Sequence, residues 1–376
     1  MKAIKKPAFL AVLVMALAII ISCSHDDNGG NDNVEHSPTI TVSGKNLVLS
    51  GGQSFVLRGI NYPIIDEGLA TLGNPTQYKF KIDEAAKTGA NAIRIQWYTS
   101  GTHWLDDAVE GKPGTVDGLL KDGTLSNIIG YCHQKGMIPI LVIQNTVCRD
   151  DWDYFNNVAL PWWQQPEVLD LINKHKKYLI ANIACEFGNV LWAADPRAAQ
   201  ETFKTNYIQA VQRLRNAGIT IPFMIDAPDC GTSSSPLVQV AKDILNADPK
   251  KNIIFSTHTY WANYANTEAA VKTKLDEIDN AGVCFVFGEV GNWQDGNTCC
   301  AYDISNLYRI ILGETCKRGI GWLAWTYSQD CCKPREMTTN GEFNTLTPYG
   351  NEIIHNATFG LQSGGSCAAQ PLPKED

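Results

Sequence analysis

Five times along this 376-residue chain a helix-like stretch hands over through a glycine to a short apolar run: KTGANAIRI, QKGMIPILV, NAGITIPFM, NAGVCFVFG and KRGIGWLAW. A glycine just past a helix end takes the left-handed cap conformation at little cost, so each marks a helix stop ahead of a strand. The runs that follow are almost continuously apolar, as parallel strands covered on both faces are. Extended along the chain, the pattern predicts helices over 77–88, 119–134, 166–177, 197–217, 236–246, 267–281, 303–318 and 348–355. It predicts strands over 55–61, 92–97, 138–144, 178–186, 222–226, 253–260, 284–289 and 321–326. Eight strands alternating with eight helices over roughly 300 residues is the arithmetic of an α/β (β/α)8 TIM barrel. An open, doubly wound sheet is the alternative, but no glycine-rich phosphate loop follows the first strand. Ahead of the barrel, SGKN and SGGQ place turns between short β-branched runs, which reads as a short β-hairpin leading into the first strand.

In a barrel of this kind the active site forms at the C-terminal ends of the strands. The residues delivered there are Arg94 and Trp97, Gln144 and Asn145, Glu186, Asp226, His258 and Tyr260, Glu289, and Trp325. Two strands, YLIANIACE and CFVFGE, each end an apolar run on a carboxylate, Glu186 and Glu289. An unpaired buried carboxylate is costly, so such strands are expected to point their acids into a cleft. Two carboxylates facing one another are the machinery of glycoside hydrolysis, in which one protonates the leaving oxygen while the other attacks or activates water. The competing reading is a pair of structural acids bound to arginines.

The net charge of −8 disfavours a nucleic-acid partner, which calls for a basic face. The N-terminus reads as a targeting segment. Lys2, Lys5 and Lys6 precede the apolar run 8–21 and then Ser22-Cys23, a lipobox-like pattern implying cleavage before Cys23 and lipidation of its thiol. Residues 23–38, SHDDNGG-like and apolar-poor, then form a flexible tether, 39–362 the barrel domain and 363–376 a C-terminal tail. The expected location is the cell envelope, with a lipid anchor in the membrane and the folded part outside the cytoplasm. Of the twelve cysteines, eleven remain after Cys23, and disulfides persist in such a compartment. The doublets Cys299-Cys300 and Cys331-Cys332 fall in the loops after strands 7 and 8, where a bridge between loops is expected. Cys148 and Cys230 form a further candidate pair, and Cys185 is the candidate free thiol. Metal binding competes for the doublets, but no histidine lies nearby and adjacent cysteines chelate one ion poorly.

The stretches FVLRGINYP, GANAIRIQW, IACEFG, FSTHTYW, VFGEVG, GWLAWTYS and LTPYGNEIIH…GLQ, in that order, resemble glycoside hydrolase family 5 over about residues 45–362. Within it the chain most resembles the bacterial endo-β-mannanase branch, subfamily 8. The resemblance implies a retaining (β/α)8 enzyme with no cofactor and no metal, acting as an endo-glycosidase on a β-linked polysaccharide, mannan first and β-glucan second. It implies Glu186 as acid/base and Glu289 as nucleophile. Arg94, His258 and Tyr260 would form the polar shell of the nucleophile, and Trp325 the aromatic floor under the sugar. Trp261 and Trp293 join Trp104, Trp152, Trp162 and Trp163 as loop tryptophans suited to sugar stacking, though some of these pack the loops instead. The chain departs from the family in two places: Cys185 stands where an asparagine precedes the acid/base, and Gln144 where a histidine ends strand 3. A thiol is a weak donor and does not reproduce an amide's bond to the sugar. A slower enzyme, a differently held sugar and a glycan-binding lipoprotein that does not cut are the readings that follow. A monomer is expected.

Overall fold

The computed structural model describes residues 40–49, 52–107 and 115–372. The expected cleavage site, lipidated Cys23 and tether lie outside the described residues. Eight strands form a closed parallel barrel: β1 (Arg58–Tyr62), β2 (Ala92–Trp97), β3 (Ile138–Ile143), β4 (Ile180–Asn182), β5 (Phe223–Asp226), β6 (Ile253–His258), β7 (Phe285–Val290) and β8 (Gly321–Ala324). β8 closes onto β1, with Trp322 opposite Arg58. The helices that alternate with the strands are α1 (Pro75–Ala86), α2 (Thr124–Gln134), α3 (Pro166–His175), α4 (Pro196–Asn216), α5 (Ser234–Ala247), α6 (Glu268–Ala281), α7 (Ser305–Arg318) and α8 (Pro348–His355).

Local chemistry sets these boundaries. Asn74, Asp195, Thr267 and Thr347 each cap a helix by accepting a backbone N–H of its first turn. The five hand-over glycines all sit at positive φ, between 65° and 89°, with Gly282 and Gly319 the left-handed caps of α6 and α7. Expected and observed helix ends agree within about two residues, the normal spread of such assignments. The predicted helix 119–134 is the exception. Gly123, at φ 85°, divides it into Val116–Lys121 and α2.

The predicted hairpin is a three-stranded antiparallel meander, Thr41–Ser43, Asn46–Val48 and Ser54–Phe55. Phe55 therefore belongs to the meander, and the first barrel strand starts at Arg58. The meander supplies Leu47 and Phe55 to a cluster with Ala92, Ile138, Ile180, Met224, Ile254, Val286 and Leu323, residues from the barrel strands near their N-terminal ends. This cluster closes the floor. A larger cluster fills the space between the barrel and its helices.

The fourth strand differs most from expectation. Its ladder ends at Asn182, although Ile183 N still donates to Met224 O (3.0 Å) and Cys185 N to Ile143 O (3.0 Å). Glu186 has φ 52°, which no strand accommodates, so the acid stands in a turn four residues past the strand. Past residue 362 the chain stays in contact with the barrel. The carbonyl of Cys367 accepts from Arg58 Nε (3.2 Å), that of Gln370 accepts from Asn91 Nδ2 (3.1 Å), and a disulfide joins Cys367 to Cys316 of α7. Replacing both Cys316 and Cys367 by alanine is expected to lower stability by about 2–4 kcal/mol. Denaturant unfolding at neutral pH, read as a shift in midpoint at constant slope, checks this.

Candidate active site

The sequence places an arginine in the middle of an apolar strand, and the structure shows what neutralises it. Arg94 on β2 is fully buried, and all five of its N–H groups are used. Nε donates to Asn182 Oδ1 (2.9 Å); Nη1 to Asn61 Oδ1 (3.0 Å) and Glu289 Oε1 (2.7 Å); Nη2 to Cys185 Sγ (3.3 Å) and Asp226 Oδ2 (3.4 Å). Cys185 is completely buried and serves Arg94 as an acceptor, so it does not present its thiol to the cavity. Burial pushes that thiol well above its ordinary range and keeps it protonated. Arg94 likewise lies beneath the cavity and holds Glu289 from below. Neither Arg94 nor Cys185 lines the cavity, although both were candidates for its substrate-binding set.

Glu289 is on β7, beside a register shift that follows Phe287. Its second oxygen accepts from the Tyr260 hydroxyl (2.9 Å). Glu186 points at the same centre from the loop after β4. Its backbone N–H donates to Asp226 Oδ2 (3.2 Å), and its left-handed backbone stores roughly 1–3 kcal/mol of strain, as functional residues often do. His258 Nδ1 lies 2.6 Å from Glu186 Oε1 and 3.4 Å from Glu289 Oε1, so these two oxygens are at most about 6 Å apart. That places both carboxylates within reach of a single glycosidic bond.

The two acids are electrostatically unequal. Burial, then the neighbouring Asp226 charge, raises Glu186 to about 8. Burial also raises Glu289, but His258, Arg94 and the Tyr260 hydroxyl pull it down, and part of what raises it is the charge of Glu186 itself. Once Glu186 holds a proton that repulsion vanishes, and Glu289, ion-paired to Arg94, is the member that carries the negative charge. Burial lowers His258, opposed by the charges of Glu289 and Asp226.

Above the pair opens a cavity of about 620 Å³, lined by Gln144, Glu186, Tyr260, Glu289 and Trp325 among the predicted site residues. The Gln144 amide oxygen has no protein partner. Trp325 is half-buried, its Nε1 donating to Asp330 Oδ2 (2.8 Å). His258 is fully buried below the pair. Trp261 is also fully buried: it packs on Phe287 and donates its Nε1 to Thr232 O (3.0 Å), so it belongs to the core and not to a sugar surface. Trp293 sits outside the cavity lining in a short pairing with Asp303, its carbonyl accepting from Arg335 Nη1 (3.2 Å). Trp162 and Trp163 are buried, and Trp152 packs among Phe155, Phe187, Phe203 and Tyr207.

Several lining residues escaped the sequence reading. Trp192, 62% exposed, projects over the cavity from a loop whose N–H groups at Val190, Leu191 and Trp192 all donate to the Asp229 carboxylate. Arg335 pairs with Asp330 (2.7 Å) and Asp295 (2.9 Å) and lies 5.5 Å over the Tyr260 ring. It thereby ties the loops after β7 and β8 together, as do the parallel disulfides Cys299–Cys331 and Cys300–Cys332. Cys148–Cys230 is bridged too, and Cys132, Cys185 and Cys284 are free. Trp192 was detectable as a tryptophan six residues past Glu186; Arg335 carried no comparable signal.

Residues 48–330 match the profile of the family described as cellulase (glycosyl hydrolase family 5). The chain belongs to glycosyl hydrolase family 5. It is a glycoside hydrolase built on a (β/α)8 barrel. Among relatives, it is 29% identical over 326 residues to a mannan endo-1,4-beta-mannosidase of Salipaludibacillus agaradhaerens, covering 85% of this chain and 92% of that protein. It is 25% identical over 359 residues to a mannan endo-1,4-beta-mannosidase of Cellvibrio japonicus, covering 90% and 74%. The catalytic domain of the mannanase from Streptomyces sp. SirexAA-E shares the fold, with a TM-score of 0.70 at 23% identity over 93% of this chain and 98% of that one.

The raised Glu186 has a stability consequence for this family 5 enzyme. An acid raised from 4.5 to about 8 binds its proton more tightly folded than unfolded, so stability falls as pH rises through that window and the full penalty is present above about pH 8. Glu186→Gln removes the charge at nearly constant shape. The variant is expected to melt above the wild type at pH 9 and to lose most of that advantage at pH 5, as thermal unfolding at the two pH values would report.

Proposed function

We propose that this enzyme is a retaining endo-β-mannanase in which Glu289 is the nucleophile and Glu186 the acid/base. The observation carrying the reading is the shared approach of both carboxylates to His258 Nδ1 at the base of an open cavity, one acid raised to about 8 and the other paired with Arg94. In the first step Glu289 attacks the anomeric carbon and the glycosidic C–O bond breaks. The departing oxygen takes the Glu186 proton, leaving a glycosyl ester on Glu289. In the second step the Glu186 carboxylate takes a proton from water, whose oxygen attacks the same carbon and frees Glu289. Trp325 and Trp192 on the cavity wall, with Gln144 beside them in the lining, are suited to hold the sugar rings.

Mannan is the substrate that the names of the relatives support, with β-glucan second. Activity requires Glu186 protonated and Glu289 ionised, so the rate on mannan is expected to fall as pH rises through about 8 and also at acid pH as Glu289 gains its proton. Glu289→Ala is expected to abolish reducing-end release from mannan, and Glu186→Ala to reduce it by about 10²–10⁴-fold. A reducing-end assay on a panel of mannans and β-glucans checks both. Retained binding without product release by the wild type would leave only a glycan-binding protein.

We further infer that Cys23 is lipidated and holds the enzyme, as a monomer, to the cell envelope. The support is the basic, apolar and Ser22-Cys23 sequence of the leader. Expressed in a bacterium that processes lipoproteins, the wild type is expected in the detergent phase after phase separation and Cys23→Ser in the aqueous phase. Equal partitioning of the two would refute the anchor.

A further inference from the structure

Glu186 leans against a disulfide. Cys148, in the loop after β3, is bridged to Cys230, in the loop after β5, so the bond spans the intervening loop that carries Glu186. Cys148 Sγ lies 3.5 Å from Glu186 Oε2. A bridged sulfur has no S–H to donate, so this contact is packing. The residues beside each cysteine grip one point two positions past the acid: Gly188 N donates to Arg149 O (2.7 Å), and Asp229 N donates to Gly188 O (2.8 Å). Four non-glycine residues of this cluster hold left-handed backbone, Cys148 at φ 54°, Glu186 at 52°, Asp229 at 58° and Cys230 at 53°. Such conformations persist only where the surroundings over-determine them. Next to Cys230, Gly231 is pressed so closely that a Cβ would come within 2.9 Å of the His258 ring and 3.0 Å of Glu186 Cγ. Its carbonyl accepts from His258 N (2.8 Å) and Thr257 Oγ1 (2.8 Å).

We propose that the Cys148–Cys230 disulfide is a positioning element for the catalytic acid, closing a three-loop clamp that seats the Glu186 carboxyl on His258 and walls its outer oxygen with sulfur. The inference rests on the assignment of Glu186 as the acid/base. Both cysteines line the cavity, so without the bridge the outer oxygen would face solvent on that side. Sulfur is poorly polar and gives a carboxylate little solvation, which favours the protonated form the first step needs. The charged and titratable groups that otherwise act on Glu186 are His258, Glu289, Asp226, Arg94, Arg335, Asp295, Tyr260 and Cys185, and none of them is touched by removing the bridge.

The test is the full-length Cys148→Ala/Cys230→Ala variant, checked for folding by circular dichroism. It is assayed for kcat/KM, which reports the first step alone, on mannan and on an aryl mannoside whose dinitrophenolate leaving group departs without a proton. Loss of a well-placed acid is expected to cost about 10–100-fold on mannan but under about threefold on the aryl substrate, and to move the basic limb of the mannan pH profile to lower pH. Unchanged rates with an unmoved limb, or equal losses on both substrates, would overturn the proposal. If the variant does not fold, graded reduction of the wild type serves instead, with opened cysteines mapped by alkylation and mass spectrometry; opening the Cys148–Cys230 bridge without this split in rates is equally fatal. Glu186→Ala is the control. If it lacks the same leaving-group dependence, the assignment of the acid fails, whatever the bridge does.

Discussion

A single guanidinium at the barrel axis organises everything above the floor. Arg94 is out of contact with water, and a buried cation survives only if its hydrogen bonds and charge are met. Its five donors reach four strands or their immediate extensions: Asn61 on β1, Asn182 and Cys185 on and past β4, Asp226 on β5 and Glu289 on β7. The same bonds that neutralise the arginine fix Glu289 and the loop leading to Glu186. Cys185 finds its place here. A sulfur accepts the last N–H at 3.3 Å, and its neighbour Glu186 is thereby set at the mouth.

The division of labour between the carboxylates follows from what each touches. Glu289 has a cation on one oxygen and a phenol on the other, both favouring the anion. Glu186 sits against an imidazole and a disulfide sulfur, and its burial and the field of Asp226 favour the proton. Two identical side chains in one cavity are thus separated in proton affinity by their walls alone.

The barrel was legible because glycine stops and apolar runs are local signals, and the strand-end acids were legible because a charge closing an apolar run is conspicuous. What escaped detection depended on tertiary placement. Residues 183–185 are as apolar as a strand because they remain buried after the ladder ends, and hydrophobicity carries no mark of the positive φ at Glu186. Trp261 and Trp192 are the same residue in similar loops, yet one is core and the other exposed, since an indole suits either setting. The doublets showed which loops would be joined but not the parallel pairing. Cys316–Cys367 could not be anticipated without knowing that the last residues fold back along the barrel.

The three-stranded meander has an orientational meaning. Ile40, where the described chain begins, packs in the floor cluster, and its N–H donates to Lys177 O just ahead of β4. The cavity opens at the other end of the same strands. The meander therefore seals the end of the barrel remote from the cavity, and the first described residues leave the mouth unobstructed. A long polymer can lie across the mouth without meeting them.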